Sequence, residues 1–127
     1  MTPDPAAVAL ARQVHDVLLA RGATLAVAES LTGGALAATV TAVPGVSGTF
    51  RGGVVAYATE LKRDLLAVPA DLLERHGPVH PLVAAAMAAG ARLRLGSTYG
   101  LATTGVAGPA SLTWSPLSVT SARTRPH

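Results

Sequence analysis

Residues 26–40 read AVAESLTGGALAATV, in which a serine and a pair of glycines separate two apolar runs. If a strand ends before Ser30 and a helix begins just after it, the N–H groups of Thr32, Gly33 and Gly34 can face an anion or a developing oxyanion. Ser30 is therefore a candidate nucleophile. A helix N-cap followed by a tight glycine turn explains the same residues, and the spacing alone favours that explanation.

A serine hydroxyl needs a base before it attacks a carbonyl. No histidine is an obvious partner, since His15 falls within the first expected helix and His127 is terminal. His76 and His80 have the spacing of a metal-binding pair, but the Gly-Pro between them breaks the helix that such a pair requires. We therefore expect neither a histidine base nor a metal site.

Lys62 is the one lysine in the chain, and the other nine basic residues are arginines. An arginine stays charged near neutral pH, whereas a lysine removed from water can lose its proton. Lys62 is therefore a candidate base. The alternative is a solvated surface lysine, which is the more common situation for this residue type.

The hydrophobic pattern predicts the elements that must position these two side chains. Apolar residues at helical spacing and capping signals predict helices over 5–21, 35–42, 59–68 and 81–96. Short apolar runs predict strands over 24–28, 53–58 and 99–103. Alternating strands and helices indicate a layered α/β fold with a mostly parallel sheet. Because ligands bind at the carboxyl ends of such strands, we expect Ser30, Lys62 and Thr104 around one cleft.

The composition argues against several other classes of protein. The 127 residues fit one compact domain, and the lack of cysteine removes disulfides and zinc-thiolate sites. Without Arg123 and Arg125, eight basic residues face seven acids, and the chain has only four Phe, Tyr and Trp residues, so a nucleic-acid partner is not expected. Gly and Pro interrupt the uncharged stretches 31–50 and 95–122, and the start of the chain is unlike a secretory signal. We expect a cytoplasmic protein without a membrane span.

Three motifs at matching intervals resemble a known family. They are AES-TGG at 28–34, PGVSGTFRGGVVAYATELKRDLLAVPADLLERHGPV at 44–79 and TTGVAGP at 103–109. Together they resemble the C-terminal domain family of the competence/damage-inducible protein CinA, whose stand-alone members are nicotinamide-mononucleotide amidohydrolases. The resemblance covers about residues 6–109.

The resemblance implies a three-layer α/β/α sandwich that uses no metal or cofactor. It implies hydrolysis of a small-molecule nucleotide, nicotinamide mononucleotide, to nicotinic acid mononucleotide and ammonia in pyridine-nucleotide salvage. Matched to the family motifs, Ser30 is the nucleophile and Lys62 the base. The positions expected to contact substrate are Thr32, Gly33, Gly34, Tyr57, Thr104 and Gly105.

The chain departs from the family at two places. His80 stands where a small polar helix cap is usual, although Pro81 can still begin the helix. Family members continue past the last motif with a glycine-rich loop, a further strand and a closing helix, whereas this chain continues with ASLTWSPLSVTSARTRPH. We therefore divide it into an amidohydrolase-like domain over 1–109 and an atypical tail over 110–127, and we expect a sheet that is incomplete at its C-terminal end.

Two consequences are expected from this tail. Residues from about 118 onward should be mobile, because the tail offers few large apolar groups, chiefly Trp114 and Leu117, and their burial cannot offset the ordering of the chain. The exposed sheet edge favours self-association into a homo-oligomer. The alternative to an active enzyme is a catalytically inactive, truncated family member that serves as a nucleotide-binding or interaction module.

Overall fold

The computed structural model describes residues 2–105 and 118–123. Nine helices and strands follow one another in these parts of the chain, with a short 3₁₀ turn at Val46–Gly48. The helices are α1 (Pro5–Ala20), α2 (Ala35–Thr41), α3 (Thr59–Leu66), α4 (Ala70–His76) and α5 (Pro81–Leu95), and the strands are β1 (Leu25–Glu29), β2 (Phe50–Val55), β3 (Tyr99–Thr104) and β4 (Ser118–Arg123).

The strands form one sheet in the order β2-β1-β3-β4. β1 pairs in parallel with both β2 and β3, while β4 runs antiparallel to β3. The carboxyl ends of β1, β2 and β3 therefore meet at one edge of the sheet. This arrangement confirms the predicted α/β fold with a mostly parallel sheet.

Helices cover both faces of the sheet, and β1 is buried between them. Ala26 and Ala28 belong to the cluster that α3 and α5 complete, whereas Leu25 and Val27 pack with residues of α1 and α2. Alternate side chains of a strand point to opposite faces, so an uninterrupted apolar run is what a strand covered on both sides requires. The three layers follow from this double burial.

Local signals at the helix ends act as the sequence indicates. The Asp4 carboxylate accepts a hydrogen bond from Ala6 N, and Pro5 opens α1. His80 caps the N-terminus of α5 as a small polar residue would, because its Nδ1 accepts a hydrogen bond from Leu82 N at 3.1 Å. Its ring also stacks on that of His76, with 4.1 Å between the ring centroids. α4 was not predicted from the sequence.

The prediction of a strand over 53–58 was wrong in position, because β2 spans Phe50–Val55. Residues 45–52, GVSGTFRG, were expected to form a loop, yet the last three of them belong to β2. Within that strand, Gly53 lies where a Cβ atom would come within 2.7 Å of Val27 Cγ2. A residue without a side chain is therefore needed for the close approach of β2 to β1. Because β2 ends at Val55, residues 56–58 form the turn that leads into α3.

The expectation that the chain is mobile from about residue 118 is wrong for 118–123. These residues form β4, which pairs with β3 from Thr104↔Ser118 to Tyr99↔Arg123 and also contacts α5. The expectation weighed only apolar side chains against chain entropy and left out the backbone hydrogen bonds that the edge of β3 offers. Trp114, Leu117 and the division at 109/110 lie outside the described residues. No helix in the described part of the chain is long and apolar enough to cross a membrane.

Candidate active site

Ser30 directly follows the last residue of β1, and only 3% of its surface is exposed. The chain then turns through residues 31–34 before α2 begins at Ala35. Gly33 and Gly34 make this turn possible because their φ angles of +58° and +109° suit glycine and few other residues. The serine hydroxyl thus lies between the end of a buried strand and a tight turn.

Lys62 lies on α3, and its side chain is fully buried. Its Nζ donates to Ser30 Oγ at 3.0 Å, to Ala56 O at 2.7 Å and to Tyr57 O at 3.3 Å. Ser30 and Lys62 are 32 residues apart in the chain. They meet because β2 pairs in parallel with β1, so that the turn after β2 brings α3 to the same edge of the sheet as Ser30.

Burial lowers the pKa of the Lys62 amine below its ordinary value of 10.5, and the Glu60 carboxylate opposes that change by favouring the ammonium. A neutral amine has two N–H bonds and one lone pair. The carbonyls of Ala56 and Tyr57 can take the two N–H bonds, which leaves the lone pair for the hydroxyl proton of Ser30. The same three partners satisfy all three N–H bonds of the ammonium, so the site accommodates both protonation states.

Glu29 is a member of the site that the sequence analysis missed. Its carboxylate is buried and accepts hydrogen bonds from Thr32 Oγ1, Gly34 N, Leu36 N and Ala37 N. The signal was present in the sequence, since an acidic residue at the end of a buried apolar strand must find donors nearby. Here the donors are the otherwise unpaired N–H groups at the start of α2.

This arrangement corrects the expectation for the turn amides. The N–H of Gly34 is bound to Glu29, and the N–H of Gly33 donates to Ser30 O at 3.0 Å, so neither is free for an oxyanion. Among the described residues, the backbone N–H groups of Leu31 and Thr32 have no acceptor. These two amides follow Ser30 directly, which is the usual place for oxyanion donors beside a nucleophile.

The other predicted positions lie around the same edge of the sheet. The Thr104 hydroxyl is buried and donates to Pro78 O at 2.6 Å, and Gly105 is buried beside it. Tyr57 contributes its carbonyl to Lys62, while 63% of its surface is exposed. Thr103, which was not predicted, places its hydroxyl 2.8 Å from that of Thr32.

Gly33 and Gly34 also border a cleft of about 530 Å³ between the start of α1 and the start of α2. Asp4 lies on the opposite side of that cleft. Within the described ranges, no group of three or more His, Asp or Glu side chains could hold a metal ion.

Comparison with known proteins identifies the family. The model of the CinA C-terminal domain matches residues 7–116. The CinA-like protein of Frankia casuarinae is 63% identical over 96 residues, which cover 76% of this chain and 22% of that protein. The CinA-like protein of Parasynechococcus marenigrum is 57% identical over 100 residues, covering 79% of this chain and 24% of that protein.

A solved structure agrees with this assignment. The competence/damage inducible protein CihA from Agrobacterium tumefaciens superposes with a TM-score of 0.81 at 33% identity, covering 87% of this chain and 67% of that one. The chain spans about a quarter of the length of the curated relatives that it matches. On its sequence, its fold and the family model, the chain belongs to the CinA C-terminal domain family.

Proposed function

We propose that this chain hydrolyses the carboxamide of nicotinamide mononucleotide to nicotinic acid mononucleotide and ammonia, with Ser30 as nucleophile and Lys62 as base. The observation that carries the proposal is the buried contact of 3.0 Å between Lys62 Nζ and Ser30 Oγ. A buried lysine with a lowered pKa beside a serine is the arrangement that activates a hydroxyl without a histidine. The choice of substrate rests on the resemblance of the motifs to the amidohydrolases of the family.

In the first half of the reaction, the neutral amine of Lys62 takes the proton of Ser30 while Oγ attacks the carboxamide carbon. The carbonyl oxygen becomes an oxyanion, and the N–H groups of Leu31 and Thr32 are the donors available to it. The Lys62 ammonium then gives its proton to the departing nitrogen. The C–N bond breaks, ammonia leaves, and the acyl group remains on Ser30 as an ester.

The second half uses the same groups with water in place of serine. Lys62, neutral again, accepts a proton from water as the water oxygen attacks the ester carbon. The ester C–O bond breaks, and Ser30 Oγ takes the proton back from Lys62. The carboxylic acid is released, and Ala56 O and Tyr57 O hold the amine in place throughout the cycle.

The nucleotide part of the substrate requires surfaces beyond the two reacting side chains. Tyr57, whose backbone carbonyl binds Lys62, has an exposed side chain, and the cleft at Gly33 and Gly34 adjoins the Ser30 turn. The exposed side chain of Tyr57 supports the binding of a planar ring, and the cleft has room for part of the remaining nucleotide. We expect substrate contacts at the positions that the family resemblance implies, which are Thr32, Gly33, Gly34, Tyr57, Thr104 and Gly105.

The proposal is tested by measuring ammonia released from nicotinamide mononucleotide. The wild-type chain should release ammonia and Ser30→Ala should not. The matched control is Ser97→Ala, which removes another buried serine hydroxyl, one that donates to Tyr99 O at the start of β3. Saturable binding of the mononucleotide without turnover would instead support the alternative of a nucleotide-binding module.

A further inference from the structure

The carboxylate of Glu29 organises the segment that carries Ser30. Its Oε1 accepts from Thr32 Oγ1 at 2.7 Å, from Gly34 N at 3.2 Å and from Leu36 N at 2.8 Å. Its Oε2 accepts from Ala37 N at 3.0 Å. The side chain is 1% exposed, so these four donors, and not water, are its partners.

These contacts join both ends of the turn that contains the nucleophile. Glu29 is the last residue of β1, while Leu36 and Ala37 lie in the first turn of α2. Between them the chain contains two glycines with positive φ, which alone would leave the turn easily deformed. The carboxylate therefore fixes the distance between the strand that presents Ser30 and the helix that follows it.

A second contact extends this connection to β3. The single hydroxyl proton of Thr32 goes to Glu29, so the 2.8 Å contact with Thr103 is a hydrogen bond donated by the Thr103 hydroxyl. Glu29, Thr32 and Thr103 thus link the two neighbouring strands β1 and β3 to the start of α2. The N–H of Thr32 has no acceptor among the residues that the structure describes, and the hydroxyl of the same residue fixes its backbone in place.

We propose that Glu29 is a positioning residue for the reaction at Ser30, acting through Thr32 and the first amides of α2 to aim the N–H groups of Leu31 and Thr32 at the oxyanion. This inference rests on the proposed function. Glu29 transfers no proton in the proposed reaction, because its two oxygens are occupied by four donors. The same contacts also exclude a substrate phosphate from the start of α2.

The first test is Glu29→Gln, with Glu74→Gln on the exposed side of α4 as the matched control. Glutamine keeps one oxygen in place of Oε1 but places an NH₂ group in place of Oε2. The hydrogen bond from Ala37 N is then lost, because both groups are donors. Amide hydrogen exchange should speed up within residues 30–37 and nowhere else. We expect kcat to fall by about 10- to 100-fold with KM unchanged, because the aligned amides act mainly in the transition state.

The pH at which activity is half-maximal should stay where it is in the wild type, since Lys62 remains the base. The pair Thr32→Val and Thr32→Ser provides a second test that does not alter the carboxylate. Valine removes the hydroxyl and should lower kcat, whereas serine keeps it and should restore most of the loss. A wild-type kcat in Glu29→Gln, or a shifted pH midpoint, would overturn the proposal.

Labelling of Ser30 by a fluorophosphonate separates this inference from the proposed function. In that step the Ser30 oxygen bonds to phosphorus, fluoride leaves, Lys62 takes the hydroxyl proton, and the phosphoryl oxygen occupies the oxyanion position. Slower labelling in Glu29→Gln supports the positioning role even if the wild type releases no ammonia from the mononucleotide. Labelling and exchange both equal to the wild type would show that Glu29 does not position the turn.

Discussion

Replacing Gly90 with alanine tests how the fold delivers Lys62 to Ser30. Gly90 lies in α5, where a Cβ atom would be 1.9 Å from Leu66 O and 2.8 Å from Leu66 C. Leu66 is the last residue of α3, the helix that carries Lys62. The missing side chain at position 90 therefore sets how closely α3 approaches α5.

Two effects of the substitution oppose each other. Alanine is a better helix former than glycine by about 1 kcal/mol, which would stabilise α5. Ordinary contact begins near 3.4 Å, so the Leu66 carbonyl must move by about 1.5 Å from its 1.9 Å position, and overpacking of this kind costs about 1–3 kcal/mol. Backbone cannot rotate away as a side chain can, so we expect the upper end of that range and a net loss of about 2 kcal/mol.

The displacement should also reach the candidate dyad. A shift of α3 by this amount lengthens the 3.0 Å contact between Lys62 Nζ and Ser30 Oγ, and a misplacement of about 1 Å can lower a rate by about 100-fold. Urea unfolding measures the stability and ammonia release measures the rate. Unfolding alone decides the packing argument, whatever the reaction proves to be.

Gly48→Ala is the matched control, because a Cβ there meets only Leu19 Cδ1 at 3.9 Å and φ is not positive. It should leave the free energy of unfolding equal or slightly raised. If Gly90→Ala proves as stable as Gly48→Ala, the close contact between α5 and Leu66 does not limit how α3 packs against α5.

Further predictions concern the reacting groups and the tail. Ser30→Ala removes the nucleophile and Lys62→Arg replaces the base with a guanidinium that accepts no proton, so each should abolish ammonia release while the circular dichroism spectrum is unchanged. Turnover by either variant would remove that residue from the mechanism. Because the pKa of Lys62 is lowered, kcat/KM should rise with pH over a range that lies below 10.5. The Glu60 carboxylate raises this pKa, so Glu60→Gln should move the rise to lower pH, and an unchanged pH profile would contradict that effect. The folded state binds this proton more weakly than the unfolded state, so the free energy of unfolding should rise with pH between the folded-state pKa and 10.5, a slope absent from Lys62→Met. Deleting residues 118–127 should lower the urea midpoint relative to deleting 124–127, because only the first deletion removes β4; equal midpoints would show that β4 adds no stability.

Local chemistry made much of the fold predictable. Asp4 and Pro5 begin α1, Pro81 begins α5, and the apolar run of β1 predicts a strand buried on both faces. These signals work because caps and hydrophobic periodicity depend on neighbouring residues only. β2 was misplaced for the opposite reason, since Arg51 and Gly52 look like loop residues locally and only pairing with β1 extends the strand back to Phe50.

The candidate residues Ser30 and Lys62 could be named from their types and from the family motifs, but the sequence could not show that they touch. Their contact depends on the parallel pairing of β1 with β2. The burial that lowers the Lys62 pKa depends on the packing of α3 against α5. A lysine on an isolated helix would be a solvated cation with an ordinary pKa.

The hydrogen-bond partners of the amides in the Ser30 turn depend on the tertiary structure. Local reasoning assigned the start of α2 to an anion from outside, whereas Glu29 supplies the anion from within the chain. In the same way, β4 forms because the edge of β3 has unpaired backbone groups within its reach. The sequence alone indicated Ser30 and Lys62 as reacting groups and most of the helices and strands, but it did not reveal α4 or the role of Glu29. The order of strands in the sheet determines which donor meets which acceptor, because hydrogen bonds form over about 3 Å while the residues that share them are as many as 75 positions apart in the chain, as in the bond from Tyr99 N to Thr24 O.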